Sequence, residues 1–177
     1  LSPAPDAATP AVPVTDLDLS PATRIIDRMK LTLEGRCIAI LVDEGSNAES
    51  VAALRKALEA EKATVKIIAP RIDGIKLSNG KTIHVDGQLA GSPSAQFDAV
   101  ASIIPLESGK KLSKDAVAQN WFRDAFGHLK AIAACKGTQA ILESAGVIPD
   151  KGVFDPTSIQ EFIAAAKNRQ WTREKNV

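Results

Sequence analysis

Cys135 follows the apolar run Ala131-Ile132-Ala133-Ala134, and Lys136-Gly137 leads away from it. A thiol placed where a strand turns into a helix N-terminus, with a lysine beside it, loses its proton more readily and can act as a nucleophile. The competing role is structural: a small side chain filling a tight strand-to-helix turn. A nucleophilic cysteine also needs a base within hydrogen-bond reach. His128 precedes the strand that Cys135 ends, so about five residues of roughly 3.3 Å each put it at the opposite edge of the sheet. His84 falls in a hairpin insert and reads as a surface histidine. Glu49 opens the first helix at the correct edge, where it either reaches the thiol or simply favours the helix dipole. Cys135, Glu49 and Lys136 are therefore the candidate site, and without a histidine it is an incomplete one.

The remaining reactive groups point nowhere. Cys37 reads as core, and Lys110-Lys111 as a solvated loop. Two cysteines and two histidines spread this widely give no metal-ligand spacing. The Walker phosphate loop is excluded because Ile104 stands where its first glycine belongs, five residues before Gly109-Lys110. The fingerprint G-x-G-x-x-G is absent as well, since no second glycine lies near Gly45.

The elements that must position Cys135 alternate in type. Cys37 to Val42 is continuously apolar, as expected of a strand covered on both faces. A turn over Asp43–Asn47 leads to a helix with Ala48, Val51, Leu54 and Leu58 on one side, and Thr64 to Ala69 is a second strand ended by Pro70. Ile75–Leu77 and Lys81–Val85 flank Ser78-Asn79-Gly80, a strong hairpin signal. Ala99 to Ile104 forms a third strand, Leu106–Lys111 a loop, and Ser113 caps a helix bearing Trp121, Phe122, Ala125 and Phe126 as core. Ala131 to Cys135 is a fourth strand, and Thr138 to Ala145 a helix stopped by Gly146. Asp155-Pro156 opens the last helix, with Ile159, Phe162, Ile163 and Ala166 at helical spacing. Strands alternating with helices predict an α/β fold, a three-layer doubly wound and mostly parallel sheet with a β-hairpin insert. Ligands of such sheets bind beyond the carboxyl ends of the strands, where strand order reverses.

Residues 1–19 carry Pro3, Pro5, Pro10 and Pro13 among Ala, Ser, Thr and Asp, which reads as an interdomain linker from a further N-terminal part. Residues 20–35 read as a short docking helix and turn, with Ser20-Pro21 as its start, Ile25, Ile26 and Met29 as its apolar stripe and Gly35 as its stop. Residues 36–177 then form the domain. A formal net charge of +1 and 4 % aromatic content argue against nucleic acid as a partner. No apolar run approaches the roughly 20 residues of a membrane span. Two cysteines make no disulfide framework, so free thiols in a reducing, cytoplasmic setting are expected.

Leu19-Ser20-Pro21-Ala22, Leu33-Glu34-Gly35-Arg36-Cys37-Ile38-Ala39-Ile40-Leu41-Val42, Phe97-Asp98-Ala99-Val100, His128-Leu129-Lys130-Ala131-Ile132-Ala133 and the terminal helix running to Arg169-Gln170-Trp171 stand in an order and spacing that resembles a known family. Residues 17 to 175 look like the carboxy-terminal domain of large-subunit haem catalases. The resemblance implies a flavodoxin-like domain of the class-I glutamine-amidotransferase-like superfamily, tethered behind a catalase core. In the intracellular-protease branch of that superfamily a nucleophilic cysteine occupies the elbow matched by Cys135. A glutamate that contacts it is matched by Glu49, allowing one gap, while the usual histidine after the cysteine is here Lys136. The site therefore reads as vestigial.

The resemblance implies a non-catalytic accessory domain that packs on the catalase core and neighbouring subunits of a homotetramer, stabilises the oligomer and acts as a chaperone for partly unfolded clients. Haem would belong to the parent, which decomposes hydrogen peroxide, since catalase haem is held by a tyrosinate and this chain has no tyrosine. No cofactor is expected in this chain itself. The alternative is a cysteine-dependent hydrolase or glyoxalase-type enzyme of the PfpI-like kind, using Cys135. A flavin or nucleotide binder is a third reading, with no phosphate motif behind it.

Overall fold

Six short segments, most of them apolar, lie side by side with their chains running the same way and make the centre of the molecule. A computed structural model describes residue 18, residues 20–23 and residues 28–176. Apart from Asp18, the expected linker over 1–19 lies outside the described residues, as do Ile25 and Ile26 of the expected docking helix. Within residues 20–23 there is a turn, closed by the Thr23 N–H on the Ser20 carbonyl at 3.2 Å.

In chain order the elements are β1 (Cys37–Val42), α1 (Ala48–Ala60), β2 (Thr64–Ala69), β3 (Ile75–Lys76), β4 (Thr82–Ile83), β5 (Gly87–Gln88), β6 (Ala99–Ile103), α2 (Leu106–Leu112), α3 (Ala116–Gly127), β7 (Ile132–Ala134), α4 (Gln139–Ser144), β8 (Val153–Phe154) and α5 (Ile159–Ala166). The main sheet has the order β5-β2-β1-β6-β7-β8 with every neighbouring pair parallel. β3 and β4 pair antiparallel as the expected hairpin.

Alternation along the central strands sorts the core into two halves. Ile38, Ile40 and Val42 face Val51, Leu54 and Leu58 of α1 and Phe162 and Ile163 of α5. Ala39 and Leu41 face Trp121 and Phe122 of α3 and Ile141 and Leu142 of α4. Both faces of the sheet are thereby buried, at roughly 1.5–3 kcal/mol for each large aliphatic side chain removed from water. The aromatic stripe is core, as its spacing suggested. Trp121 and Phe122 meet edge to face at 5.0 Å, and the indole N–H donates to the Ser92 carbonyl at 2.9 Å.

Four details differ from the sequence reading. Residues expected as a loop, Leu106–Lys111, are the helix α2, whose first turn follows directly from Pro105. The cap of α3 is Asp115, whose carboxylate accepts the Val117 N–H, and Ser113 ends α2 instead. Ser158 rather than Asp155-Pro156 opens α5, which stops at Ala166 and does not run on to Trp171. β5 and β8 complete the sheet but are two residues long, too short to show any period.

After α5 the chain folds back, and Arg173 plugs into the body of the domain with 1 % of its surface exposed. Its guanidinium forks onto Asp150 at 2.7 and 2.8 Å, donates to the carbonyls of Phe126 and Lys130, and lies 4.0 Å over the Phe126 ring. This arrangement satisfies the charge that burial would otherwise strand. The same pairing holds the Asp150 carboxyl below its ordinary value, against the opposing effect of burial.

Lys130 is buried nearby at 2 % exposure, with its ammonium donating to the Ser94 carbonyl. Burial first, and then the positive charge of Arg169, pull its pKa from 10.5 down to about 8, with Asp98 and Asp124 opposing. The unfolded chain keeps this proton up to its ordinary value, whereas the folded chain releases it near pH 8. Unfolding therefore takes up a proton between those values, and stability rises with pH across that window. Urea titrations from pH 8 to 10.5 should show the wild type gaining on the order of 3 kcal/mol relative to Lys130→Met. Parallel pH profiles for the two proteins would show that Lys130 is not the group responsible.

Candidate functional site

β1 sits between β2 and β6, so the chain winds outward to one side, returns, and winds outward to the other. The reversal lies between β1 and β6, and the loops leaving their carboxyl ends part around a cleft of about 420 Å³. Gly45, Asn47 and Ser50 come from the first loop and helix, Ile104-Pro105-Leu106 from the end of β6, Cys135-Lys136-Gly137 from the end of β7, and Asp155-Pro156-Thr157 from the end of β8. The structure thus brings Cys135 and Lys136 to the switch point. Glu49 is exposed in the first turn of α1 and is not part of the cleft lining, which that turn supplies through Asn47 and Ser50. Asn47 caps α1, its side-chain oxygen accepting the Ser50 N–H at 2.8 Å. His128 is exposed at the C-terminal end of α3, and His84 is exposed after β4.

Cys135 stands one residue beyond β7, in extended geometry, and begins a 3-10 turn over Lys136–Thr138 that runs into α4. Its sulfur is not idle. The thiol donates to the Ile104 carbonyl at 3.2 Å, and the Ile104 N–H donates to the sulfur at 3.3 Å. The β6–β7 ladder ends at the pair Ser102↔Ala134, so the side chain of Cys135 makes the next rung. Behind it the Thr138 hydroxyl lies 3.4 Å from the sulfur and 2.5 Å from the Ser102 hydroxyl, which donates to the Ala133 carbonyl. Ser102 and Thr138 are fully buried, and these contacts satisfy both hydroxyls. Among the described residues no carboxylate or imidazole hydrogen-bonds the Cys135 sulfur.

The elbow is also roofed. A Cβ built on Gly109 of α2 would run into the Gly137 carbonyl, and one on Gly137 would run into the carbonyls of Ile104 and Pro105. α2 therefore packs on the elbow backbone to backbone, which only two glycines allow. Leu106, 60 % exposed, projects at the cleft from the same segment. At the far rim the Asp155 carboxylate accepts the Thr157 N–H at 2.9 Å and hydroxyl at 2.6 Å. Those bonds, with Lys136 nearby, hold it below its ordinary value.

Chemically, the cleft presents opposite charges from Lys136 and Asp155, an apolar wall, and a sulfur whose proton is held by a backbone carbonyl. Cys37, the other thiol, is half-buried at the opposite edge of the sheet, and burial pushes its pKa up. No cluster of three or more potential ligands able to hold a metal ion occurs among the described residues. Sequence reasoning missed Ser102, Thr138, Asp155 and Thr157. The one available signal was a serine inside the otherwise apolar run Ala99–Ile103.

The family described as the C-terminal domain found in long catalases matches residues 34–169. Catalase C of Rhizobium meliloti is 37 % identical over 168 residues, covering 92 % of this chain and 24 % of the relative. Catalase HPII of Pseudomonas putida is 32 % identical over 177 residues, covering 97 % and 24 %. The chain thus spans about a quarter of the length of these relatives. Among solved structures, a ThiJ/PfpI domain protein from Brachyspira murdochii superposes with a TM-score of 0.61 at 14 % identity, over 76 % of this chain and 95 % of that one. That likeness is one of fold, and it bears out the flavodoxin-like reading.

The glycine contact gives a direct test. Gly109→Ala is expected to cost about 1–3 kcal/mol of stability through overpacking and to speed thiol labelling at Cys135. Gly91→Ala, where a Cβ meets nothing within 4 Å, should change neither. Urea unfolding and labelling rates on the three proteins decide it, and equal behaviour of the two variants would refute the roofed elbow.

Proposed function

Because this chain belongs to the family of C-terminal domains found in long catalases, we propose that it serves its parent as a non-catalytic accessory domain, packing on the catalase core and neighbouring subunits, stabilising the oligomer, and holding partly unfolded client proteins. One observation carries the non-catalytic part: the Cys135 thiol is spent as a rung between strands, with no base bonded to it among the described residues. A nucleophile that had to leave two backbone hydrogen bonds before attacking would begin about 1–3 kcal/mol behind.

The parent's chemistry would be the decomposition of hydrogen peroxide at haem, in the part of the protein that these relatives carry beyond this chain. The residues here do not fit that group. Catalase haem takes a tyrosinate ligand, and the chain contains no tyrosine. Its histidines are exposed and neither lines the cleft, and the one sulfur in the cleft is bonded to Ile104.

A second reading keeps a cysteine-dependent hydrolase or glyoxalase-type activity, because Cys135 and Lys136 do line an open cleft at the switch point. Thiol labelling separates the two. With Cys37 replaced by serine, Cys135 in the folded protein should react at neutral pH at least about tenfold more slowly than in the urea-unfolded chain. A folded rate equal to or above the unfolded one would transfer the assignment to the enzyme reading. For the client-holding part, light scattering from a heat-labile enzyme should fall when this protein is added at equal molarity, compared with an inert protein. Unchanged scattering would end that part and leave the structural role.

A further inference from the structure

The hairpin between β2 and β5 carries a reactive pair that the cleft does not use. β3 and β4 pair through Ile75↔Ile83 and Lys76↔Thr82, and the Leu77 N–H donates to the Lys81 carbonyl at 2.9 Å. The tip, Ser78-Asn79-Gly80, is exposed at all three residues. The Gly80 N–H donates to the Leu77 carbonyl at 2.9 Å, and Gly80 has φ +79°, a conformation that glycine adopts without strain. The Asn79 side-chain oxygen accepts the Lys81 N–H at 3.0 Å.

That last bond closes a small ring which encloses the Gly80 nitrogen, and it draws electron density from the Asn79 amide carbon. A backbone nitrogen that attacks the preceding side-chain amide makes a five-membered ring, and glycine offers no side chain to hinder it. We propose that Asn79 is a site of spontaneous deamidation in the folded protein. The Gly80 nitrogen gives its proton to water or hydroxide and bonds to the Asn79 Cγ. The Cγ–Nδ2 bond breaks, and the side-chain nitrogen leaves as ammonia after taking up a proton. Water then opens the cyclic imide at either carbonyl, giving aspartate or isoaspartate. Water is the sole co-reactant, and nothing is oxidised or reduced.

Three other asparagines are held differently, and a fourth, Asn176, precedes the β-branched Val177, whose side chain crowds the attacking nitrogen. Asn47 precedes Ala48 and spends its side chain capping α1. Asn120 precedes Trp121 inside α3, where the helix fixes the backbone nitrogen. Asn168 precedes Arg169, and its side-chain oxygen is shared between the Arg169 N–H and the Trp171 indole. Asparagine is a thermolabile residue type, and of these only Asn79 is followed by glycine. The brake at Asn79 is the bond from the Gly80 N–H to Leu77, which must open first.

The change would reach beyond the tip. Next to Asn79, the Ser78 N–H donates to the Ser46 carbonyl at 2.9 Å, and the Ser78 hydroxyl accepts the Ala48 N–H at 3.0 Å. The hairpin is thereby tied to the first turn of α1, which lines the cleft through Asn47 and Ser50. Conversion adds a carboxylate beside that tie, lowering the formal net charge from +1 by one unit, and isoaspartate also lengthens the backbone there.

Incubating the folded protein at mildly alkaline pH, and mapping peptides after ion exchange and isoaspartate labelling, tests this. A free peptide spanning residues 77–81 gives the reference rate. Because an exposed tip opens at little free-energy cost, Asn79 in the folded protein should convert at no less than about a hundredth of the peptide rate, and the early acidic species should be absent from Asn79→Gln. Slower conversion, or earlier conversion at Asn47, Asn120 or Asn168, would overturn the proposal.

Discussion

A parallel sheet must be covered on both faces, and in this chain the side chains of β1 and β6 divide between two cores in strict alternation. Shifting β1 by one residue would send Ile38, Ile40 and Val42 toward α3 and α4, and Ala39 and Leu41 toward α1 and α5, leaving one core overfilled and the other hollow. The register of the central strands therefore fixes where every helix lies. It also sets the carboxyl ends of β1, β6, β7 and β8 in one row, and that row makes the cleft. The site is a consequence of core packing, with its residues delivered by loops that had to leave the sheet at that edge.

Within that frame the elbow at Cys135 is built as a joint. Its sulfur replaces a backbone rung between Ile104 and the end of β7, its neighbour Thr138 closes a buried chain of hydroxyls to Ser102, and Gly137 accepts the close approach of α2 through Gly109. Each contact is modest alone. Together they join β6, β7, α2 and α4 at a single place where main chain meets main chain, and closely packed interiors transmit displacement poorly tolerated by any one partner. The cleft is thereby floored by closely packed main chain.

Much of this was legible from the sequence because the longer elements have strong periods. β1, α1, β6, α3 and α5 bury most of the residues that their spacing singled out, with Cys37, Phe126 and Ile159 half-buried, while β2 buries only Ile67, Ile68 and Ala69. Two-residue strands such as β5 and β8 have no period to read, and they form because the sheet offers edges already in place. α2 reads as a loop in sequence because it is only seven residues long and carries Gly109 in its interior, and its stability comes from packing on the elbow. At the site, the residue types at Cys135 and Lys136 were readable. The partner of the thiol was not, because it is the backbone of Ile104, 31 positions away, and backbone atoms leave no mark in sequence.

Arg173 shows how the same logic extends to the end of the described chain. A guanidinium buried this deeply would be ruinous without compensation, yet it finds a bidentate carboxylate, two carbonyls and an aromatic face. Gly152 leaves it room, since a Cβ there would strike the guanidinium and Gln170. Three separate elements converge on this one side chain: the end of α3, the lead into β7 and the loop before β8. The clasp thus holds β7 in place at its amino end, as the Cys135 rung does at its carboxyl end. A three-residue strand pinned at both ends by side chains is a rigid support, and rigidity there suits a domain proposed to act by packing against its parent rather than by turning over a substrate.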